Sequence, residues 1–467
     1  MKNISVGLCM IFFSISLFPQ GVFESSLSNT HEINVSSLLS MGGFIRSATY
    51  IARTPVEEAL YLQSCYGQAG LKMSAPLGEH VSASSDIRFR YGTEFSKTIH
   101  EFELREAYVD LFVGPLGFRF GKQIVSWGKG TVYNPTQRIT PIDPLYRSPD
   151  RDDMKLGNWA IMTNLNLGSK TKFSGYWLPV YKPSVLLIEP VPMPDYIRFQ
   201  TDAFPDARLK NGSYGLKYEL FLNQFDASFS WFDGYSHWPG ITYLSAVFDT
   251  ITYEPAEIGL AEKAYNIQAL GLDFAIPFGS WIFRFEGAWQ TTQAYDEKEY
   301  IPYPELAYTA ELERTGTNLN MMAGYYGKYI TDFASLERSP ELTFDSNMLI
   351  ELLQAGITVT PEIIDNEIAS RIKSFNRLYN YQTEEFYQSA LAVLTGNFFY
   401  EKLELSLPVI YNFTTEEWTI RPALTYKPYD GIHLQAGYEG YYGPEGSLYD
   451  LIGPVLNSGF MAVKVIF

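Results

Sequence analysis

Asn457-Ser458-Gly459-Phe460-Met461-Ala462-Val463-Lys464-Val465-Ile466-Phe467 closes the sequence and reads as one two-sided strand. Met461, Val463, Val465 and Phe467 fall on one face, and Phe460, Ala462, Lys464 and Ile466 on the other, which is the period of a pleated strand. One face is apolar at every position up to the aromatic terminus. Whether the rest of the chain follows the same grammar decides the fold.

Length alone leaves the question open, because 467 residues suffice for two or three soluble domains or for one large barrel. Composition narrows it. Aromatic residues make up 16% of the chain, with 34 Tyr and 32 Phe, against 46% hydrophobic residues and a formal net charge of −17. That is too aromatic and β-prone for disorder. It is also too polar for a helical membrane protein, since past residue 20 no apolar run approaches the roughly 18 to 20 residues that a spanning helix requires. A transmembrane barrel meets both constraints, because half of each strand faces lipid and half a polar lumen. The terminal strand then resembles the assembly signal of bacterial outer-membrane barrels. That implies export across the inner membrane of a Gram-negative cell, the barrel-assembly machinery and outer-membrane lipid as partners, and the outer membrane as destination.

The amino terminus carries the matching address. Lys2 precedes an apolar stretch over 4–18 and a Pro19-Gln20-Gly21 breaker, the pattern of a secretory signal, placed at 1–25 with the barrel over 26–467. Cleavage leaves Cys65 as the lone thiol, so neither an intramolecular disulfide nor a cysteine-based metal site follows, and no cofactor is expected. The acidic balance argues against a nucleic-acid partner. Solvated loops account for the excess Asp and Glu, or else a negative pore mouth that favours cations.

Strand alternation recurs at 403–413, 418–426 and 432–442, with Lys427-Pro428-Tyr429-Asp430-Gly431 as a hairpin turn, and again at 67–75 and 81–89. Short turns fall at 76–79, 114–117, 168–170, 222–224 and 277–280. Long connections fall at about 128–157, 180–212, 234–263 and 292–316. This sidedness predicts an all-β fold: a single antiparallel meander barrel with short periplasmic turns and long extracellular loops. Counting from both ends makes the strands near 318–330 and 386–399 both run toward the periplasm. An upward strand is therefore expected between 342 and 360, for about 18 strands, with 16 as the alternative. Residues 361–379 read as a helix in an extracellular loop or folded into the lumen, with Pro361 at its start and Arg371, Lys373 and Arg377 toward its end.

The most motif-like stretch is Gly121-Lys122-Gln123-Ile124-Val125-Ser126-Trp127-Gly128-Lys129, followed by Asn134-Pro135-Thr136 and Pro141-Ile142-Asp143-Pro144. It resembles the alginate-export and related outer-membrane porin families, with Lys122 where Arg is commoner and Thr136 departing within the first Asn-Pro element. The resemblance implies a barrel that passes small solutes or oligomers through its lumen. It covers about 25 residues.

The loop after Trp127 is dense in both charge signs: Lys129, Arg138, Arg147, Arg151 and Lys155 against Asp143, Asp150, Asp152 and Asp153. Folded inward it would line a constriction; folded outward it would cap the barrel. Trp127 and Trp159 are expected in an interfacial aromatic girdle. The strand register points Lys72, Asp86, Arg88, Arg90, Lys217, Glu219, Asp273, Arg284, Glu286, Arg421, His433 and Glu439 into the lumen, where Arg284 and Glu286 can pair. The function expected is passive diffusion of small polar or charged solutes, without catalysis and with homo-oligomerisation possible. One alternative is a surface adhesin or structural barrel that uses its aromatic loops. A lesser one is a hydrolase built on His237 with Asp233 and Ser236.

Overall fold

A computed structural model describes residues 39–467 apart from 55–58, 189, 202–203, 250–251, 253, 341, 343, 345–349, 351–353, 355, 357 and 359. The proposed signal over 1–25 lies outside the described residues.

Nineteen strand segments form one continuous antiparallel sheet, and two of them, Glu417–Ile420 and Ala423–Tyr429, are halves of a single strand that pairs on both sides with the same neighbours. The result is a closed barrel of 18 strands. In chain order they are Ser40–Arg53, Leu60–Pro76, Val81–Glu94, Lys97–Val113, Leu116–Gln123, Asn158–Leu167, Thr171–Leu178, Ser213–Phe221, Asp226–Tyr235, Asn266–Phe278, Trp281–Thr292, Glu305–Arg314, Leu319–Ile330, Phe386–Phe398, Leu403–Asn412, the split strand, Ile432–Tyr442 and Ser458–Ile466. Closure is made by the quoted terminal strand, which pairs with Ser40–Arg53 from Phe44 opposite Ile466 to Ala52 opposite Ser458. Phe467 completes it, its N–H donating to the Gly43 carbonyl at 3.0 Å and its carbonyl accepting from the Gly43 N–H at 2.7 Å. A closed sheet has no open edge, so wall amides pair with neighbouring strands and need no water.

The alternation is realised as two media. Met461, Val463, Val465 and Phe467 are exposed on the outer face with Phe89, Tyr91, Trp159 and Trp289. The partners that interleave with them, Arg88, Arg90, Ala462 and Glu286, are buried inside. No described helix is long and apolar enough to cross a membrane.

The expected count holds, but its derivation needs correction. Strand Leu319–Ile330 pairs antiparallel with Phe386–Phe398 over Leu319 to Tyr329, which leaves no place for a strand between them. Much of 342–360 lies outside the described residues. The strand hidden from the parity count is Glu305–Arg314, inside what reads as the 292–316 loop. Its inward positions carry Thr309 and Glu311 and its outward ones Leu306 and Leu312, a short alternation diluted by Glu305, Glu313 and Arg314.

Helix Pro361–Tyr379 forms where expected, with Thr360 as its N-cap. It belongs to a cap on the long-loop rim. There, strands Ile197–Phe199, Gly240–Phe248 and Pro255–Lys263 make a separate sheet, and Ile197, Ile241, Ile258, Leu260, Ile368, Ile372 and Phe375 close an apolar core between sheet and helix. Asn376 stitches the two, accepting from the Ile241 N–H and donating to the Ile241 carbonyl, both at 2.8 Å. A second helix, Leu448–Leu456, capped by Ser447, lies in the last long loop.

Candidate functional site

The segment between Gln123 and Asn158 folds into the barrel and spans it from wall to wall. Its start follows from the motif. Gly121 takes φ +136°, and a Cβ there would overlap the Ala107 carbonyl of the neighbouring strand. Gln123 is buried and donates to the Ala160 carbonyl at 3.0 Å. Trp127 is almost wholly buried and packs on Tyr176 with ring centroids 4.9 Å apart. It anchors the inward loop and is no part of an interfacial girdle, whereas Trp159 does face outward.

From Trp127 the loop runs onto an acidic wall. The Glu286 carboxylate accepts from the N–H of Lys129 at 2.9 Å, Gly130 at 2.7 Å and Thr136 at 2.8 Å, and from the Thr136 hydroxyl at 2.8 Å. Glu311, two strand positions of similar depth away on the next strand, accepts from the N–H of Thr131 at 3.0 Å and of Val132 at 3.3 Å. A Cβ on Gly128 would overlap the Glu286 carboxylate, so the Trp-Gly step of the motif is what lets the backbone reach the wall. Tyr133 stacks on Tyr326 at 4.3 Å.

The far end of the loop is held by the opposite, basic wall. Asp153 receives Arg46 at 2.5 Å, Arg88 at 2.6 Å and the Ser148 hydroxyl at 2.5 Å. Asp150 pairs with Arg46 and with Lys464 at 2.7 Å. Arg105 donates to the Asp153 carbonyl at 3.1 Å and to that of Asp152. Arg90 lies between the rings of Tyr66 and Tyr146, at 3.9 and 4.2 Å, and donates to the Arg147 carbonyl. Arg147 in turn meets Glu439 at 3.1 Å, and Glu439 is shared with Arg421. Burial alone would raise the Asp153 pKa, but Arg46 and Arg88 outweigh it and hold the carboxyl well below the usual range. Asp143 has no such partner among the described residues. Burial pushes it up to about 6, against the opposing hydrogen bond from the Leu145 N–H.

The structure thus gathers Asp86, Arg88, Arg90, Arg147, Asp150, Arg421 and Glu439 into one connected network. Other expected site residues stand apart. Lys129 reaches Asp226 at 3.7 Å. Arg284 does not pair with Glu286, whose carboxylate is taken up by the loop N–H groups; it meets Glu313 at 2.5 Å. Arg138 donates to the Gln137 carbonyl at 3.2 Å and is held below its usual pKa by burial, whereas Arg151 stays exposed in the lumen. Arg46, Arg105 and Glu311 escape the sequence reading. Arg46 shares the buried face of its strand with Phe44, Ala48 and Tyr50, opposite Ile45, Ser47 and Ile51, which is its signal in the sequence, and Glu311 lies on the hidden strand. His237 does not join Asp233 and Ser236. Its Nδ1 lies 2.8 Å from the Ser184 hydroxyl, and Asp233 accepts from Gln268 at 3.2 Å. Burial, then the charge of Arg138, lowers the His237 pKa to about 3.

Fold and lumen together define a porin-like, membrane-spanning meander barrel with one loop folded inward. The chain belongs to the family described as protein of unknown function DUF1302, whose model matches residues 81–419. No curated protein matches it. Among solved structures it is similar to OccAB3 of Acinetobacter baumannii at 10% identity and TM-score 0.54, covering 92% of this chain and 99% of that one. It is also similar to OccK3 (OpdO) of Pseudomonas aeruginosa at 8% identity and TM-score 0.52, covering 92% and 95%. OccAB1 of Acinetobacter baumannii follows at 9% identity and TM-score 0.51, covering 92% and 96%. At such identities the likeness is one of fold.

Proposed function

We propose that the protein is an outer-membrane channel for passive diffusion of small polar or charged solutes. The observation that carries this reading is the charged loop clamped across the lumen between a wall of arginines and a wall of glutamates. A purely structural barrel has no use for a polar interior that leaves Arg138 and Arg151 without carboxylate partners among the described residues. Solutes cross in the space left beside the loop, in the field between the two walls. Lys129, Arg138, Asp143 and Arg151 face that space. Asp86, Arg88, Arg90, Arg147, Asp150, Arg421 and Glu439 shape it, as do Arg284 and Glu286. The sequence resemblance of 121–144 to the alginate-export and related channel families extends the proposal to oligomers.

The 1–25 segment serves as export signal, and the outward row Met461, Val463, Val465 and Phe467 as the assembly signature. Single-channel conductance of refolded protein in planar bilayers tests the proposal, with discrete ohmic steps as the expected result. A folded barrel without conductance in any salt would overturn it. The cap sheet and its helix, with their own apolar core on the outer rim, would then favour a surface-contact role.

A further inference from the structure

The barrel wall has a defective seam. Strand 417–429 is interrupted at Arg421-Pro422, and its neighbour carries Pro408 on the facing rung. The Arg421 N–H donates to the Pro408 carbonyl at 3.1 Å, and the Tyr438 N–H donates to the Pro422 carbonyl at 3.0 Å. In each narrow pair of an antiparallel ladder the second bond runs the other way, and here both return donors would be proline nitrogens. The carbonyls of Arg421 and Tyr438 therefore lose their wall bonds at adjacent rungs, on both sides of one strand. Proline is confined to sheet edges in ordinary folds, and in a bilayer a missing wall bond finds no water to replace it.

Two further features coincide with that seam. On the outer face lies an apolar groove of about 600 Å³, walled by Leu394, Leu405, Leu407, Pro422 and Leu424, with Ala423, Ala436 and Gly437 among its lining residues. Ala423 also packs inward on the cluster of Tyr50, Tyr66 and Phe460, so a small side chain separates groove from interior. On the inner face, Arg421 points opposite to Pro422. It is buried, its Nη2 bonds Glu439, and its Nη1 has no partner among the described residues. Arg151, exposed in the lumen, lies within electrostatic reach of Arg421.

We propose that the seam at Pro408 and Pro422 is a lateral outlet for monoanionic amphiphiles, through which a molecule with an apolar body and one carboxylate leaves the lumen for the bilayer. This rests on the channel reading and adds a second exit to it. The carboxylate is met by Arg421 and Arg151 and the apolar body crosses the weakened rungs into the groove. No bond in the molecule is made or broken.

The test closes the seam covalently. Val409 and Ile420 are register partners one rung from the prolines, in a wide pair whose side chains suit a disulfide. Full-length protein carrying Val409→Cys, Ile420→Cys and Cys65→Ser is expressed in intact cells, and accumulation of radiolabelled dodecanoate is followed oxidised and reduced. The same protein is recorded in planar bilayers. Wild-type protein is expected to raise accumulation above that of cells lacking it. Oxidation should return it to that level with ion conductance unchanged, and reduction should restore it. A Pro408→Val, Pro422→Val variant, which returns both donors, should lose accumulation in the same way without a cross-link. No wild-type accumulation, accumulation unchanged by a formed cross-link, or accumulation and conductance lost together would each overturn the outlet. Loss of all conductance in wild type would instead strike the channel reading itself.

Discussion

Replacing Glu286 by Gln removes charge from the acidic wall while leaving the barrel ladder intact, because the Glu286 backbone pairs with Asp273 and Thr309 whatever its side chain. The carboxylate accepts two bonds on each oxygen. Glutamine keeps one acceptor and turns an NH2 toward two N–H or O–H donors, so at least two charge-assisted bonds are lost. At the low end of their usual strength, roughly 1.5 kcal/mol each, this weakens seating of the loop by about 3 kcal/mol. That is about two decades in the equilibrium between seated and released loop. Single-channel recording should show a steady level in the parent and, in Glu286→Gln, a second and larger level whose occupancy is higher by that factor. Glu311 still holds Thr131 and Val132, so the double variant with Glu311→Gln should dwell longer in the large level. Identical levels and dwell times in a correctly folded Glu286→Gln barrel would refute the clamp.

Gly128→Ala should reproduce the same second level, since the added methyl occupies the site of the Glu286 carboxylate. Asp153 has a native carboxyl pKa below its unfolded value, so its contribution is present above about pH 4 and lost as pH falls through the native value. Asp153→Asn should abolish that acid-side loss in thermal unfolding monitored against pH. Asp143 has the opposite sign. Raised to about 6, it binds its proton more tightly in the native loop, so stability falls as pH rises from about 4 to 6. Asp143→Asn should raise the melting temperature above that window and leave it unchanged below. Arg151→Ser should move the reversal potential in a salt gradient toward cation preference; a shift toward anions would contradict its exposure to the permeating solute.

The chain was readable in its sequence wherever the decisive property is local. Alternation is a period of two along one strand, so Met461, Val463, Val465 and Phe467 announce an apolar face, and Asp86, Arg88 and Arg90 a polar one, without knowledge of any neighbour. The same holds for helix Pro361–Tyr379, whose cap and charge order lie within its own turns. Strand Glu305–Arg314 is masked in the sequence because Glu305, Glu313 and Arg314 toward its ends are charged and not buried, which blurs its alternation. Only closure of the barrel decided the site. Glu286 meets the backbone of residue 129 at a separation of 157 positions, and Asp150 meets Lys464 at 314. No local pattern encodes such pairs, because they exist only once the circumference brings opposite walls within the reach of one loop. The sequence by itself determined a two-faced sheet with a charged lumen; the tertiary structure decided that the loop after Trp127 turns inward, and which charges are left free to meet a solute.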